Sequence, residues 1–117
     1  MKVIIAGSRD VVDMAELERA IADSGFEITE VVCGCARGVD ELGLTWGACN
    51  DVPVRRMPAD WDRYGRQAGR ERNIAMARYA DALVAVWDGR SPGTRHMIRV
   101  AKAQGLKRHV RKTGETT

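Results

Sequence analysis

The sequence predicts one α/β domain, a doubly wound parallel sheet of about five strands with helices on both faces in three layers. Three observations carry this expectation. Short continuous apolar runs, Lys2-Val3-Ile4-Ile5-Ala6 and Ala82-Leu83-Val84-Ala85-Val86-Trp87, have the composition of strands buried on both faces. Segments with helical spacing alternate with strand-like runs, giving the order β-α-β-α-β-α-β-α-β. Glycine-containing breaks follow the first, second and fourth strands, all on the carboxyl edge where such sheets receive ligands.

The elements follow in order. Lys2–Ala6 is a central strand closed by Gly7-Ser8. Asp13–Asp23 places Met14, Leu17, Ala20 and Ile21 at helical spacing, and Ser24-Gly25 stops it. Ile28–Cys33 is the second strand, broken by Gly34. Gly38–Ala48 is a helix with Val39, Leu42, Leu44 and Trp46 as its apolar residues. Pro53–Met57 is a short strand whose proline puts it near an edge. Pro58–Tyr64 reads as a loop carrying Trp61. Gln67–Tyr79 is a helix, Ala82–Trp87 the fourth strand, and Thr94–Gln104 a helix turning Met97, Ile98 and Ala101 inward. Gly105 ends that helix, and Leu106–Val110 is a fifth strand with a weak pattern.

Length and composition set the bounds. A chain of 117 residues suits one domain, here expected over 1–112, with a disordered tail over 113–117 that begins to fray at about Lys112. Apolar content of 44% and charged content of 30% exclude a disordered class. No apolar run approaches the ~18 residues of a membrane span, and Val3–Ala6 is too short for a signal-peptide core, so a cytoplasmic location and no membrane partner are expected. Three cysteines, Cys33, Cys35 and Cys49, are an odd number, and Cys33-Gly34-Cys35 lacks the spacing of zinc or thioredoxin-like motifs. They read as small buried thiols and no metal site is expected. The net charge is +3, with Lys102, Lys107, Arg108, Arg111 and Lys112 gathered near the end. Such a run reads as a solvated surface or, alternatively, as a nucleic-acid contact.

The candidate site follows from the glycine breaks. Asp88, Gly89, Ser91, Gly93 and Thr94 turn the fourth strand into a helix. First-turn amides there lack intrahelical partners and the helix dipole adds positive charge, which suits phosphate. In Gly7-Ser8-Arg9, glycine permits close approach, Ser8 offers a hydroxyl and Arg9 a planar fork. Gly34, Arg37, Gly38 and Asp40 close the second strand. Asp40 either complements the helix dipole or accepts from a sugar hydroxyl. Arg72 and Asn73 sit early in the third long helix, Asn73 on the face of Met76 and Ala77, where it serves either packing or the cleft. Trp61 on its loop either packs or covers a base. His96, in the first turn of a helix, reads as a surface residue.

These residues carry a resemblance. Gly7-Ser8-Arg9, Gly34-x-Ala36-Arg37-Gly38-x-Asp40, Gly69-x-x-Arg72-Asn73-x-x-Met76 and Trp87-Asp88-Gly89-x-Ser91-x-Gly93-Thr94, in this order, resemble the YspA/YpsA-related branch of the SLOG superfamily. That superfamily also holds the LOG phosphoribohydrolases and DprA-like DNA-processing proteins. The resemblance spans about Met1 to Leu106. It implies a Rossmann-like fold, a small-molecule ligand that is a phosphorylated nucleotide or ADP-ribose-like derivative, a homo-oligomer and a phage or bacterial source. One departure stands out. LOG enzymes carry P-G-G-x-G-T-x-x-E with a catalytic glutamate, and this sequence has Met97 at that position. A thioether is neither general acid nor base at neutral pH. The expectation is therefore a nucleotide-binding or sensing domain. The alternatives are a nucleoside monophosphate phosphoribohydrolase-like enzyme and DprA-like binding of single-stranded nucleic acid.

Overall fold

The computed structural model describes residues 1–8, 13–34 and 38–113. The elements are β1 (Lys2–Gly7), α1 (Met14–Ser24), β2 (Glu30–Cys33), α2 (Val39–Cys49), β3 (Val54–Arg56), α3 (Trp61–Tyr64), α4 (Ala68–Tyr79), β4 (Ala82–Trp87), α5 (Pro92–Ala103) and β5 (Lys107–Lys112), with a 3₁₀ turn at Gly65–Gln67. The five strands form one sheet in the order β3-β2-β1-β4-β5, and every pairing is parallel. β1 lies between β2 and β4, with Val3 facing both Val31 and Ala82 across the ladders. The direction of chain progress reverses between β1 and β4, which makes their carboxyl ends the switch point of the sheet.

The alternation of side chains along β1 divides the core. Ile4 and Ala6 pack with Met76 and Ala77 of α4 and Met97 and Ala101 of α5. Val3 and Ile5 pack with Leu17 and Ala20 of α1 and Val39 of α2. All five strand residues Ala82–Val86 are buried, as a strand covered on both faces requires. Local chemistry sets the helix ends. Asp13 caps α1 by accepting from the Ala15 amide at 2.9 Å, and Gly25 ends it at φ 68° in the left-handed region that favours glycine.

Three elements differ from the sequence reading. The Pro58–Tyr64 stretch contains the one-turn helix α3, capped by Asp60, whose carboxylate accepts from the Arg63 amide. Helix α5 begins at Pro92, two residues before Thr94, because proline is suited to a first helical position that needs no N–H. Strand β5 runs on to Lys112, the expected point of fraying, and the Thr113 amide donates to the Trp87 carbonyl at 2.8 Å; residues 114–117 of the expected tail lie outside the described residues. The basic run at the end is therefore an edge strand. Its Arg111 is committed to Glu16 of α1 at 2.6 Å, and Lys112 lies over the Trp87 ring. Such charges discourage pairing with another strand edge. Cys33 is buried as expected; Cys49, expected to be buried, is exposed as the last residue of α2; Cys35 lies outside the described residues. No helix among the described residues is long and apolar enough to cross a membrane.

Candidate ligand-binding cleft

A cleft of about 700 Å³ opens at the switch point. Ala6 and Gly7 at the end of β1 form its base, together with Asp40 from the first turn of α2. One side is the start of α5, from Ser91 through Thr94, with His96 and Met97 behind it. The opposite side comes from α3 and α4 and includes Trp61, Arg66, Arg70, Arg72 and Asn73. Asp40 and Thr94 are both 6% exposed, so each is a largely buried polar residue of the cleft lining.

The turn between β4 and α5 explains the state of this helix end. Asp88 accepts from the amides of Arg90 at 2.7 Å and Ser91 at 2.8 Å, which folds the chain back over Gly89 at φ 81°. The Ser91 and Arg90 amides hold the Asp88 carboxyl below its ordinary range. The Asp88 amide donates to Ser8 Oγ at 2.9 Å, and Ser91 Oγ lies 3.1 Å from Ser8 Oγ and 3.2 Å from Asp88 Oδ2. Ser91 is the N-cap of α5, a position whose hydroxyl normally accepts from a first-turn amide. Here the hydroxyl is engaged with Ser8 and Asp88 instead, and α5 has no side-chain cap. Pro92 contributes no N–H, and the Arg95 amide already donates to Ser91 O. Among the described residues, the amides of Gly93 and Thr94 thus have no side-chain acceptor, and both residues line the cleft.

A second network spans the cleft. Arg72 donates through Nη1 to Gly34 O at 2.8 Å and through Nε to Asn73 Oδ1 at 3.2 Å. Asn73 Nδ2 lies 3.4 Å from Gly93 O and 3.0 Å from His96 Nδ1. This chain of contacts ties the end of β2 to α4 and α4 to the first turn of α5. Burial, followed by the charges of Arg70 and Arg99, pushes the His96 imidazole below its ordinary value.

The sequence-derived residues divide into those facing the cleft and those that build it. Gly7, Asp40, Arg72, Asn73, Ser91, Gly93 and Thr94 line it. Ser8, Asp88 and Gly89 shape the β4–α5 turn behind it, with Ser8 only 1% exposed. Gly7 touches the cleft, yet a Cβ there would lie 2.1 Å from Val86 O, so the close approach it permits is of strand to strand and helix. A Cβ on Gly34 would lie 2.6 Å from Arg72 Nη1, so that glycine makes room for the guanidinium. Gly38, the residue before α2, has φ 79°. Arg9 and Arg37 lie outside the described residues.

Sequence reasoning missed Arg66, and it read His96 as a surface residue. His96 is half-buried and forms part of the cleft wall. Its partner Asn73 is 23 residues away, so no local pattern marks the pairing. Arg66 is hidden in a charged stretch that looks like any solvated face. Met97, at the position of the LOG glutamate, is 1% exposed and also lines the cleft, so that position carries a thioether in this chain.

The all-parallel ladder, the strand order and a cleft at the switch point define a Rossmann-like three-layer α/β domain. Comparison with known proteins narrows this. The chain belongs to the YspA, cpYpsA-related SLOG family, whose model matches residues 1–64. A phage relative, the Gene 61 protein of Mycobacterium phage D29, is 38% identical over 115 residues, covering 90% of this chain and 91% of that protein. The likeness to the phage protein therefore extends through α4, β4 and α5, beyond the span of the family model.

Proposed function

We propose that this domain binds a phosphorylated nucleotide or a nucleotide derivative such as ADP-ribose, with the phosphate against the start of α5. The single observation that carries the reading is the diverted N-cap. Ser91 turns its hydroxyl to Ser8 and Asp88, so among the described residues the Gly93 and Thr94 amides have no side-chain acceptor where they line the cleft. Those amides and the helix dipole together favour an anion. Gly93 has nothing within 4 Å of where a Cβ would project, which leaves room for a phosphate oxygen to approach the backbone. Arg66 and Arg70 supply positive charge on the facing wall, and no carboxylate among the described residues lies within 4.0 Å of either. Asp40 on the floor suits a sugar hydroxyl. Membership of the SLOG family is in keeping with a nucleotide-related ligand.

Thermal melts of the full chain with AMP, ADP, ADP-ribose, ribose 5-phosphate and inorganic phosphate test the reading. A ligand at about 100 times its Kd stabilises the folded state by about 2.7 kcal/mol. A rise in Tm of several degrees with at least one phosphorylated nucleotide is expected at millimolar concentration. No rise with any of them removes the proposal.

A further inference from the structure

Trp61 is the most exposed of the large hydrophobic side chains among the described residues, at 61%. An indole carries the largest apolar surface of any side chain, and leaving it in water gains the fold little. Trp61 packs into neither hydrophobic core, whereas Trp46 packs against the β1–α1–α2 side. Its placement is nevertheless well defined. It opens α3, whose turn is fixed at one end by the Asp60 cap and at the other by the Gly65 amide donating to Trp61 O. Its ring reaches the first turn of α4, with Cη2 about 4.0 Å from where a Cβ on Gly69 would sit. The residue lines the same cleft as Gly93 and Thr94, together with Arg66 and Arg70.

From this placement we infer that Trp61 is a stacking platform for the base of the ligand, so the cleft takes a nucleobase-bearing compound rather than a simple sugar phosphate. The inference rests on the phosphate reading of the α5 end and deepens it. The phosphate sits at Gly93 and Thr94, the base lies on the indole of Trp61, and the sugar spans the floor at Asp40. A flat π-face recognises any base, so the platform sets ligand class and not base identity. Base–aromatic stacking of this kind is lost on truncation at a cost of about tenfold or more in affinity.

The test uses the full chain as wild type, Trp61→Leu and Trp61→Phe, titrated with ADP, ribose 5-phosphate and adenosine. Binding is followed by calorimetry and by tryptophan fluorescence, and each variant is checked by its melt and by sedimentation. The exposure of Trp61 predicts that all three proteins fold with closely similar Tm. Trp61→Leu is expected to weaken ADP about tenfold, to leave ribose 5-phosphate within about twofold and to abolish the fluorescence quenching by ADP, with Trp61→Phe between the two. Unchanged ADP affinity, or an equal loss for ADP and ribose 5-phosphate, overturns the stacking role and leaves the phosphate site standing. A variant that changes only the state of association assigns Trp61 to a protein contact and also overturns it. Adenosine binding that depends on Trp61 while phosphate adds nothing upholds the platform and removes the phosphate reading. Wild-type protein that binds none of the three, and neither AMP nor ADP-ribose, overturns both.

Discussion

Asn73 and His96 meet at 3.0 Å across the α4–α5 junction, and the network around them permits one arrangement of protons. Asn73 Oδ1 must accept, because its partner Arg72 Nε has only a proton to give. Asn73 Nδ2 is then the donor, in keeping with its contact to Gly93 O. His96 Nδ1 must therefore accept, so the imidazole is neutral and carries its proton on Nε2. A charged imidazolium would set an N–H against the Asn73 amide and forfeit the contact.

This pairing makes the fold sensitive to acid in a defined direction. The folded-state pKa of His96 lies below its ordinary 6.5, first through burial and then through Arg70 and Arg99. Below that ordinary value the unfolded chain takes up the proton more readily than the folded one. The stability tied to neutral His96 is therefore complete above about pH 6.5 and is lost as pH falls through the folded-state pKa. His96→Gln keeps an acceptor for Asn73 without a titrating ring. Melts between about pH 5 and 8 are expected to show a smaller acid-side loss in the variant. Equal slopes in the two proteins would remove the assignment.

Two glycines that look alike in sequence are expected to respond in opposite ways to alanine. At Gly7 a Cβ would lie 2.1 Å from the Val86 carbonyl and 2.6 Å from Val39 Cγ2, where backbone must move. Overpacking of this kind costs about 1–3 kcal/mol or more. At Gly93 a Cβ meets nothing within 4 Å, and alanine in a helix gains up to about 1 kcal/mol over glycine. Gly7→Ala should lower the midpoint of a urea melt, and Gly93→Ala should leave it level or raise it. The same Gly93 variant should weaken phosphate-bearing ligands, since the added methyl occupies the approach to the helix amides.

That contrast also shows what could be read in the chain beforehand. The continuous apolar runs of β1 and β4 are legible because a strand buried on both faces has no polar alternation to obscure it. β5, Lys-Arg-His-Val-Arg-Lys, is a strand by its ladder to β4, while its own residues resemble a basic tail. α3 is one turn long and too short to show periodicity, though Asp60 before Trp61 is the one local sign of a helix start. The β4–α5 turn is legible as a strand-to-helix break through Gly, Ser, Pro and Gly. The partners of its side chains do not show, because Ser8 comes from 80 residues before Asp88. What the sequence could not show was which polar groups hold the loops and which face the cleft.

Ser8 is expected to be a stability residue first. It is 1% exposed, and its hydroxyl accepts from the Asp88 amide at 2.9 Å. Ser8→Ala leaves that half-buried amide without its acceptor, and since a fully buried unsatisfied group costs about 1–3 kcal/mol, a loss toward the lower end is expected. Chemical denaturation should report a loss in that range. A neutral result would mean that the turn is held by the Asp88 carboxylate alone, through its bonds to the Arg90 and Ser91 amides.

Arg70 and Arg99 separate the electrostatics of His96 from the proposed binding role. Both charges depress the imidazole, but only Arg70 lines the cleft. Removing either as glutamine relieves repulsion of the imidazolium, so the His96 titration followed by NMR should move upward in both variants. Burial remains in both, and it is the larger cause, so neither variant should restore the full ordinary value. ADP affinity should fall in Arg70→Gln and stay near wild type in Arg99→Gln. The residual affinity of Arg70→Gln should also show a weaker dependence on salt, because one screened charge has gone. Equal losses of ADP affinity in the two variants would place the effect in the general field of the domain and take Arg70 out of the ligand's immediate surroundings.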